Sequence, residues 1–252
     1  MSKRFDGYNV FVTGAASGVG RATAVLLASE GAQVIAADVN REGLAETVET
    51  IRASGGQVHA DECNVADAAS VRQAIARAAE QLGGLKVLVN AAGVGKSQRF
   101  EELAEDEWRR VMSVNLDGAF FAMQAALPYL LANRGNIVNV ASIAGLRGQA
   151  YNAAYCASKA GLINLTRSIA LEFASRKVRA NCICPGGIKT PLIRNFIPQQ
   201  DFEPSLIAYF SPPVPHRLAD PESVAKVIAF LASDDAKHIS GSALVADDAT
   251  LA

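Results

Sequence analysis

A short apolar run leads directly into three closely spaced glycines and then into a helical segment. The run NVFVT at Asn9–Thr13 is typical of a buried strand. Gly14, Gly18 and Gly20 follow it, and the segment RATAVLLASEG after them has helical spacing. Glycines permit a tight turn and a close ligand approach, and a helix N-terminus offers free N–H groups to phosphate. The feature therefore predicts a strand–turn–helix unit that binds the diphosphate of a dinucleotide.

The spacing of these glycines is Gly-x-x-x-Gly-x-Gly, which differs from the Gly-x-Gly-x-x-Gly fingerprint of many dinucleotide sites. No Gly-Lys-Ser/Thr follows, so the turn is not a P-loop. A structural turn without a ligand is the alternative that these residues leave open.

An acidic residue ends the second apolar run, Gln33–Asp38, about 20 residues beyond Gly18. A carboxylate at this place can accept hydrogen bonds from the ribose hydroxyls of adenosine and would repel a 2′-phosphate. Asp38 therefore favours NAD over NADP, and Arg41, three residues later, could soften that preference. A helix-capping or loop carboxylate is the alternative interpretation of Asp38.

Strands and helices alternate along the whole chain. Further strands are expected at Gln57–Asp61, Lys86–Asn90, Gly135–Ala141, Val178–Cys184 and Ser242–Ala246, and helices at Arg41–Ser54, Asp67–Leu82, Leu103–Leu131, Tyr151–Phe173 and Pro221–Ser233. This order predicts a single α/β domain over residues 1–252, with a doubly wound parallel sheet of about seven strands and helices on both faces.

Charge and hydropathy narrow the class of protein. The 252 residues carry a net charge of −1, which argues against nucleic-acid or membrane partners. No apolar run reaches the ~18 residues of a membrane span, and the N-terminus lacks a signal-peptide pattern, so a soluble cytoplasmic protein is expected. The three histidines are scattered, and Cys182 and Cys184 have no second pair, so buried thiols are expected and no metal site.

A tyrosine and a lysine four residues apart, Tyr155 and Lys159, follow the serine Ser142. Positions i and i+4 share a helix face, so the phenol and the ammonium can point into one cleft. The lysine cation would favour phenolate and lower the tyrosine pKa from its usual ~10, which suits proton transfer in alcohol and ketone chemistry. By itself the pair is also compatible with a half-buried tyrosine and a solvated lysine.

Three other features are candidates for a role in ligand binding. Small residues follow the fourth strand at Ala91–Gly93, where a ligand could approach the backbone, and Asn115 is polar within an apolar helical stretch. Residues 189–217 are rich in proline and aromatic residues and interrupt the alternation, which indicates a substrate lid. For residues 189–217 the alternative is a plain surface loop. For Asn115 the alternative is a purely structural role.

Taken together, these motifs resemble the short-chain dehydrogenase/reductase family over nearly the full length of the chain. Thr13–Gly20 matches the cofactor motif of that family, Asn90–Gly93 its NAAG motif, and the segment from Pro185 to Thr190 the stretch that flanks the nicotinamide. The catalytic tetrad of the family matches Asn115, Ser142, Tyr155 and Lys159 in order and spacing. Within the family the chain is most similar to 3-oxoacyl-carrier-protein reductases and polyol dehydrogenases, which implies a Rossmann fold.

The resemblance implies a role for each matching residue. Tyr155 would be the general acid/base, Ser142 would orient the substrate oxygen, and Lys159 would lower the tyrosine pKa and hold the nicotinamide ribose. Asn115 would anchor a water molecule in a proton relay. The residues expected to bind the cofactor are Gly14, Ser17, Gly18, Val19, Gly20, Asp38, Val39, Asn64, Val65, Asn90, Ala91, Ala92, Gly93, Tyr155, Lys159, Pro185, Gly186, Ile188 and Thr190.

The expected function is NAD-dependent interconversion of a secondary alcohol and a ketone by a homotetramer. An NADPH-dependent 3-oxoacyl-carrier-protein reductase and a nucleotide-sensing scaffold are the alternatives. The chain departs from the family in two places: Asn64 stands where aspartate is common, and the usual Asp-Gly-Gly near the end is replaced at 247–249 by Asp-Asp-Ala. The first departure affects the expected contact with adenine, and the second affects the expected subunit interface.

Overall fold

Seven parallel strands form one continuous sheet in the computed structural model, which describes residues 3–198, 200–208 and 218–252. The strands are β1 (Asn9–Thr13), β2 (Gln33–Asp38), β3 (Gln57–Glu62), β4 (Val87–Asn90), β5 (Asn136–Val140), β6 (Arg179–Pro185) and β7 (Ala243–Ala246). Their order across the sheet is β3-β2-β1-β4-β5-β6-β7. The strand order reverses between β1 and β4, and ligands bind at such a switch point in open parallel sheets.

Helices cover both faces of this sheet. They are α1 (Gly18–Ser29), α2 (Arg41–Ala53), α3 (Ala68–Leu82), α4 (Glu105–Met112), α5 (Gly118–Ala132), α6 (Ala153–Glu172), α7 (Pro204–Ala208) and α8 (Pro221–Ala232). Short 3₁₀ turns occur at Phe100–Glu102, Ile143–Gly145, Ala174–Arg176, Pro191–Phe196 and Asp234–Ala236. The predicted single α/β domain with seven parallel strands is confirmed.

Alternate residues of the strands supply two separate apolar cores. Phe11 and Ile35 face the side covered by α3, α5 and α6, whereas Val10 and Val34 face the side covered by α1, α2 and α8. These four side chains are at most 1% exposed. Complete burial of one such aliphatic or aromatic side chain contributes roughly 1.5–3 kcal/mol, which explains why nearly every central-strand position is apolar.

The helix predicted over Leu103–Leu131 is interrupted in the structure. α4 ends at Met112, a π-helical turn spans Ser113–Asp117, and α5 begins at Gly118. The extra residue of a π turn changes the direction of a side chain, and this turn carries Asn115 into the interior. α5 contains Pro128 and continues beyond it to Ala132.

No helix in the described part of the chain is both long enough and apolar enough to cross a membrane.

The tail after β7 places two non-glycine residues in the left-handed region. Asp248 has φ +51° and Ala249 has φ +63°, at the positions where the related family carries glycines. An L-residue in this conformation costs about 1–2 kcal/mol, whereas glycine adopts it without a steric penalty. The Asp247 carboxylate holds the turn by accepting N–H bonds from Ala249 at 3.1 Å and Leu251 at 2.9 Å.

We expect Ala249→Gly to raise the free energy of unfolding by about 0.5–1 kcal/mol, because relief of strain exceeds the extra entropy of the unfolded glycine. Denaturant unfolding is the measurement. The matched control is Ala76→Gly on the exposed face of α3, which should lose about 1 kcal/mol. A loss of stability at both positions would contradict the strain at Ala249.

Candidate active site

The glycine turn after β1 is built so that no side chain fits at its glycines. A Cβ atom on Gly14 would lie 2.7 Å from the backbone nitrogen of Ala92, and one on Gly20 would lie 2.1 Å from the carbonyl oxygen of Gly14. A Cβ on Gly18 would lie 2.9 Å from the Thr190 side chain. The turn therefore packs directly on the backbone after β4 and leaves the first turn of α1 open to a ligand. Such a cradle fits a diphosphate.

Both oxygens of the Asp38 carboxylate accept backbone hydrogen bonds. Oδ2 accepts the N–H of Ala16 in the glycine turn at 3.1 Å, and Oδ1 accepts the N–H of Asn40 at 3.0 Å. The carboxylate is thereby fixed beside the turn, and its remaining lone pairs can only accept. This geometry suits hydroxyl donors such as those of a ribose and opposes a phosphate.

A cleft of about 330 Å³ runs along the carboxyl edge of the sheet. Of the residues expected to bind the cofactor, all except Asn90 line it, and Ser142 lies at the same edge. The cleft also includes seven residues that the sequence reasoning missed: Cys63, Val94, Val114, Val140, Ala141, Pro191 and Leu192. Val140 ends β5 and Ala141 directly follows it, so the strand-end rule that located Ala91–Gly93 could have found these two.

Asn90 lies beneath this cleft and not along it. Its amide nitrogen donates to the Asn139 side-chain oxygen at 2.8 Å, and the side chain is buried between β4 and β5. Asn139 in turn donates to the Thr166 hydroxyl on α6 at 2.8 Å. The side-chain nitrogen of Asn90 thus belongs to a polar cross-strand link that joins the sheet to α6, and the expected cofactor contact of Asn90 stays a prediction.

Tyr155 and Ser142 come together although they lie on different elements. Ser142 follows β5 and caps the next 3₁₀ turn by accepting the N–H of Ala144 at 3.1 Å. Tyr155 lies in the first turn of α6, and the Ser142 hydroxyl is close enough to its phenol to lower the pKa of Tyr155. A substrate oxygen placed at this pair could exchange a proton with the phenol and be held by the serine.

The protonation of Tyr155 differs from the sequence-based expectation. Burial raises the pKa of Tyr155 to about 12, and the hydrogen bond from Ser142 lowers it by less. Lys159 is not among the causes of this shift, and the lowering of the Tyr155 pKa by Lys159 stays a prediction. The ammonium lies 5.6 Å from the centroid of the phenol ring and donates instead to the Val140 carbonyl at 2.9 Å.

Lys159 is itself almost completely buried, with 3% of its surface exposed. Burial lowers its pKa from about 10.5 to about 8, because a charged ammonium is poorly solvated in the interior. Within residues 3–198, 200–208 and 218–252, no carboxylate forms an ion pair with this ammonium. The lysine is thus a donor with unused hydrogen-bonding capacity, directed at the floor of the cleft.

Asn115 fixes the loop after β4 from behind. Its side-chain oxygen accepts the N–H of Val94 at 2.8 Å, and its nitrogen donates to the Val94 carbonyl at 2.9 Å and to the Ser158 hydroxyl at 3.1 Å. A Cβ atom on Gly93 would lie 3.5 Å from both the Asn115 oxygen and the Lys159 nitrogen. Asn115 does not line the cleft, and the proton relay through it stays a prediction.

Asn64 and Thr190 both line the cleft. The exposed Asn64 uses its side-chain oxygen to accept the N–H of Ala66 at 3.1 Å, so this oxygen caps a local turn. Thr190 packs against Gly18, and Ile188 pairs with Ala219 through one parallel bridge.

The described part of the 189–217 segment lies against the rim of the cleft. The Phe196 ring meets the Tyr155 ring edge-on, with centroids 5.0 Å apart. Phe202 stacks on Tyr151 at 3.8 Å, and the Asp201 carboxylate pairs with Arg99 at 2.7 Å. Of the proline and aromatic residues in this predicted lid, Tyr209, Phe210, Pro212, Pro213 and Pro215 lie outside the described residues.

The polar residues Asn152 and Lys96 do not line the cleft. The Asn152 side-chain oxygen accepts the Ser97 hydroxyl at 2.8 Å in a buried position. Lys96 lines a separate cavity of about 10 Å³ next to Tyr155, together with Glu107. Near Tyr155 the described walls of the cleft are consequently apolar, with Val94, Leu192 and the neighbouring Phe196.

Comparison with known proteins agrees with this geometry. A family model described as Enoyl-(Acyl carrier protein) reductase matches residues 14–248. Cyclohexanol dehydrogenase of Acinetobacter sp. (strain SE19) is 41% identical over 99% of this chain and 97% of its own length. The 3-oxoacyl-[acyl-carrier-protein] reductase of Thermotoga maritima is 37% identical over 97% of this chain and 98% of its own.

A solved structure shows the same architecture. The short chain dehydrogenase from Mycobacterium paratuberculosis bound to NAD superposes with a TM-score of 0.92 at 28% identity, and the match covers 98% of each chain. Sequence and structure therefore lead to one conclusion: the chain belongs to the short-chain dehydrogenase/reductase family of oxidoreductases that act on alcohols and ketones.

Proposed function

We propose that the protein is an NAD-dependent dehydrogenase that interconverts a secondary alcohol and a ketone, with Tyr155 as the general acid/base. The observation that carries the proposal is that Tyr155 and Ser142 line the same cleft as the glycine turn and the Asp38 carboxylate. Bound NAD would supply the hydride acceptor. In alcohol oxidation, Tyr155 takes the hydroxyl proton while Ser142 holds the same oxygen.

The residues of this chain fit that cofactor. The glycine turn and the open N-terminus of α1 can receive the diphosphate, and Asp38 offers acceptors to the adenosine ribose. Lys159 has donors left for the second ribose, at the floor of the cleft beside Tyr155. A solved relative that binds NAD, at 28% identity over 98% of the chain, supports the same choice.

The substrate we propose is an uncharged secondary alcohol with an apolar body. Around Tyr155 the described cleft offers Val94, Leu192 and Phe196, and no carboxylate or guanidinium of the described residues lines this end. An apolar wall favours an apolar ligand and penalises a charged one, which would lose its water without a partner. The similarity to a cyclohexanol dehydrogenase supports this class.

The test is absorbance of reduced nicotinamide with purified protein, NAD or NADP, and a panel of cyclic alcohols, diols and hydroxy acids. We expect turnover with NAD and with cyclic or branched alcohols in preference to hydroxy acids. A folded sample without turnover on any of these compounds would contradict the proposal.

The alternative is an NADPH-dependent 3-oxoacyl-carrier-protein reductase, which the 37% identity to the Thermotoga maritima enzyme supports. It requires a 2′-phosphate next to Asp38. Backbone hydrogen bonds to both oxygens hold the Asp38 carboxylate in place there. Dissociation constants of NAD and NADP, measured side by side, decide between the two. Tighter binding of NADP would favour the alternative.

We also propose that residues 189–217 act as a substrate lid and that the protein is a homotetramer. The lid is supported by the contact of Phe196 with the Tyr155 ring. The tetramer is supported by apolar side chains exposed on the helix faces, including Trp108, Phe120 and Leu171. Light scattering that shows a stable monomer would contradict the tetramer.

A further inference from the structure

Arg41 lies close to the end of β2 but is held by a carboxylate of the next strand. It begins α2, three residues beyond Asp38, and its Nε donates to the Glu62 Oε2 at 2.6 Å. The Arg41 side chain is 80% exposed. Among the described residues, the ion pair with Glu62 is the contact that orients its guanidinium. The earlier expectation that Arg41 softens the cofactor preference assumed a guanidinium free to meet a 2′-phosphate.

Glu62 is the direct neighbour of Asp38 in the sheet. The two residues are register partners at the carboxyl ends of β2 and β3, and side chains of register partners extend to the same face. Two carboxylates and one guanidinium therefore share the corner of the sheet next to the adenosine end of the cleft.

The guanidinium is directed away from that cleft. Asp38 and Val39 line the cofactor cleft, whereas Arg41 and Glu62 line a separate groove of about 410 Å³ between α2 and β3. Arginine is the side chain best suited to bind a phosphate with two parallel hydrogen bonds, so its direction here matters for the choice of cofactor.

We propose that Glu62 is a cofactor-selectivity residue that holds Arg41 away from the 2′ position of the adenosine ribose. The inference deepens the proposed NAD-dependent function and rests on it. Asp38 repels a 2′-phosphate directly, and Glu62 removes the nearby cation that could compensate for this repulsion. Exposed ion pairs are weak, so the contribution of Glu62 is smaller than that of Asp38.

The test measures binding and needs no turnover. Dissociation constants of NAD and NADP are determined by titration without substrate for the parent and for Glu62→Gln, Arg41→Ala and the double variant. We expect Glu62→Gln to tighten NADP by about fivefold through a charge-assisted contact, with NAD unchanged within about twofold. Arg41→Ala alone should leave NADP binding at the parent value, and the double variant should lose the gain.

Glu105→Gln on α4 is the matched control, because it breaks an exposed pair with Arg109 and changes the net charge equally, outside the residues that line the cleft. It should change neither constant by more than about twofold, since salt screens distant surface charges. The inference is overturned if Glu62→Gln leaves NADP binding unchanged, or if the double variant or Glu105→Gln shows the same gain. A parent that does not bind NAD refutes the proposed function instead, which the same titration reveals separately.

Discussion

Replacing Tyr155 by phenylalanine is expected to lower kcat by about a thousandfold in both directions while the protein stays folded and binds NAD. The substitution removes one oxygen and keeps the ring that packs on Phe196. Proton transfer by a positioned side chain contributes about 10²–10⁴ in rate, and here the phenol lines the same cleft as Ser142. Steady-state kinetics, an NAD titration and a thermal melt together measure the effect.

The matched control for this substitution is Tyr129→Phe on α5, which also removes one phenol oxygen but lies outside the cleft. It should keep kcat within about twofold. Retention of more than about a tenth of the parent kcat by Tyr155→Phe would exclude the phenol as the general acid/base. A collapse of NAD binding with normal folding would assign the hydroxyl to cofactor binding.

Lys159→Met is expected to have a second large effect, on catalysis and on the pH dependence of stability. Methionine is similar in length and flexibility, so it keeps the packing and removes the cation. Loss of the donors at the floor of the cleft should weaken NAD binding and lower kcat/KM by about a hundredfold or more. Kinetics and NAD titration measure this part.

The stability effect follows from the pKa of Lys159, which burial lowers to about 8 from about 10.5. Between these two values the unfolded chain binds more protons than the folded one, so the stability of the parent rises with pH in this window. The methionine variant lacks this gain. Relative to the parent it should lose up to about 3 kcal/mol as the pH rises from 8 toward 10.5.

Denaturant midpoints of both proteins at pH 7, 8.5 and 10 provide the measurement. Tyr155 does not disturb the comparison. Its raised pKa changes the free energy of unfolding of both proteins equally, and only above about pH 10. Parallel pH profiles for the parent and the variant would show that Lys159 is ionised equally in the folded and unfolded states.

Much of the fold could be predicted from local pattern. The apolar runs, the glycines at their ends and caps such as Asp67, which accepts the N–H of Ala69 at 2.8 Å, are properties of neighbouring residues. The edge of the sheet that carries the cleft follows from the parallel order. The division of the Leu103–Leu131 segment by a π turn could not be predicted, because it depends on the contacts of Asn115 with Val94 and Ser158.

The sequence by itself determined the strand–helix alternation, the glycine turn, and the residues that would meet at one edge of the sheet, because periodicity and turn chemistry act over short distances. Only the tertiary structure decided the burial, the pKa values and the hydrogen-bond partners of these residues. It buried Tyr155 and Lys159 so that their pKa values move apart, placed Asn90 under the cleft, and paired Arg41 with Glu62. Desolvation and long-range partners depend on atoms from separate helices and strands, so they cannot be predicted from the spacing of residues along the chain.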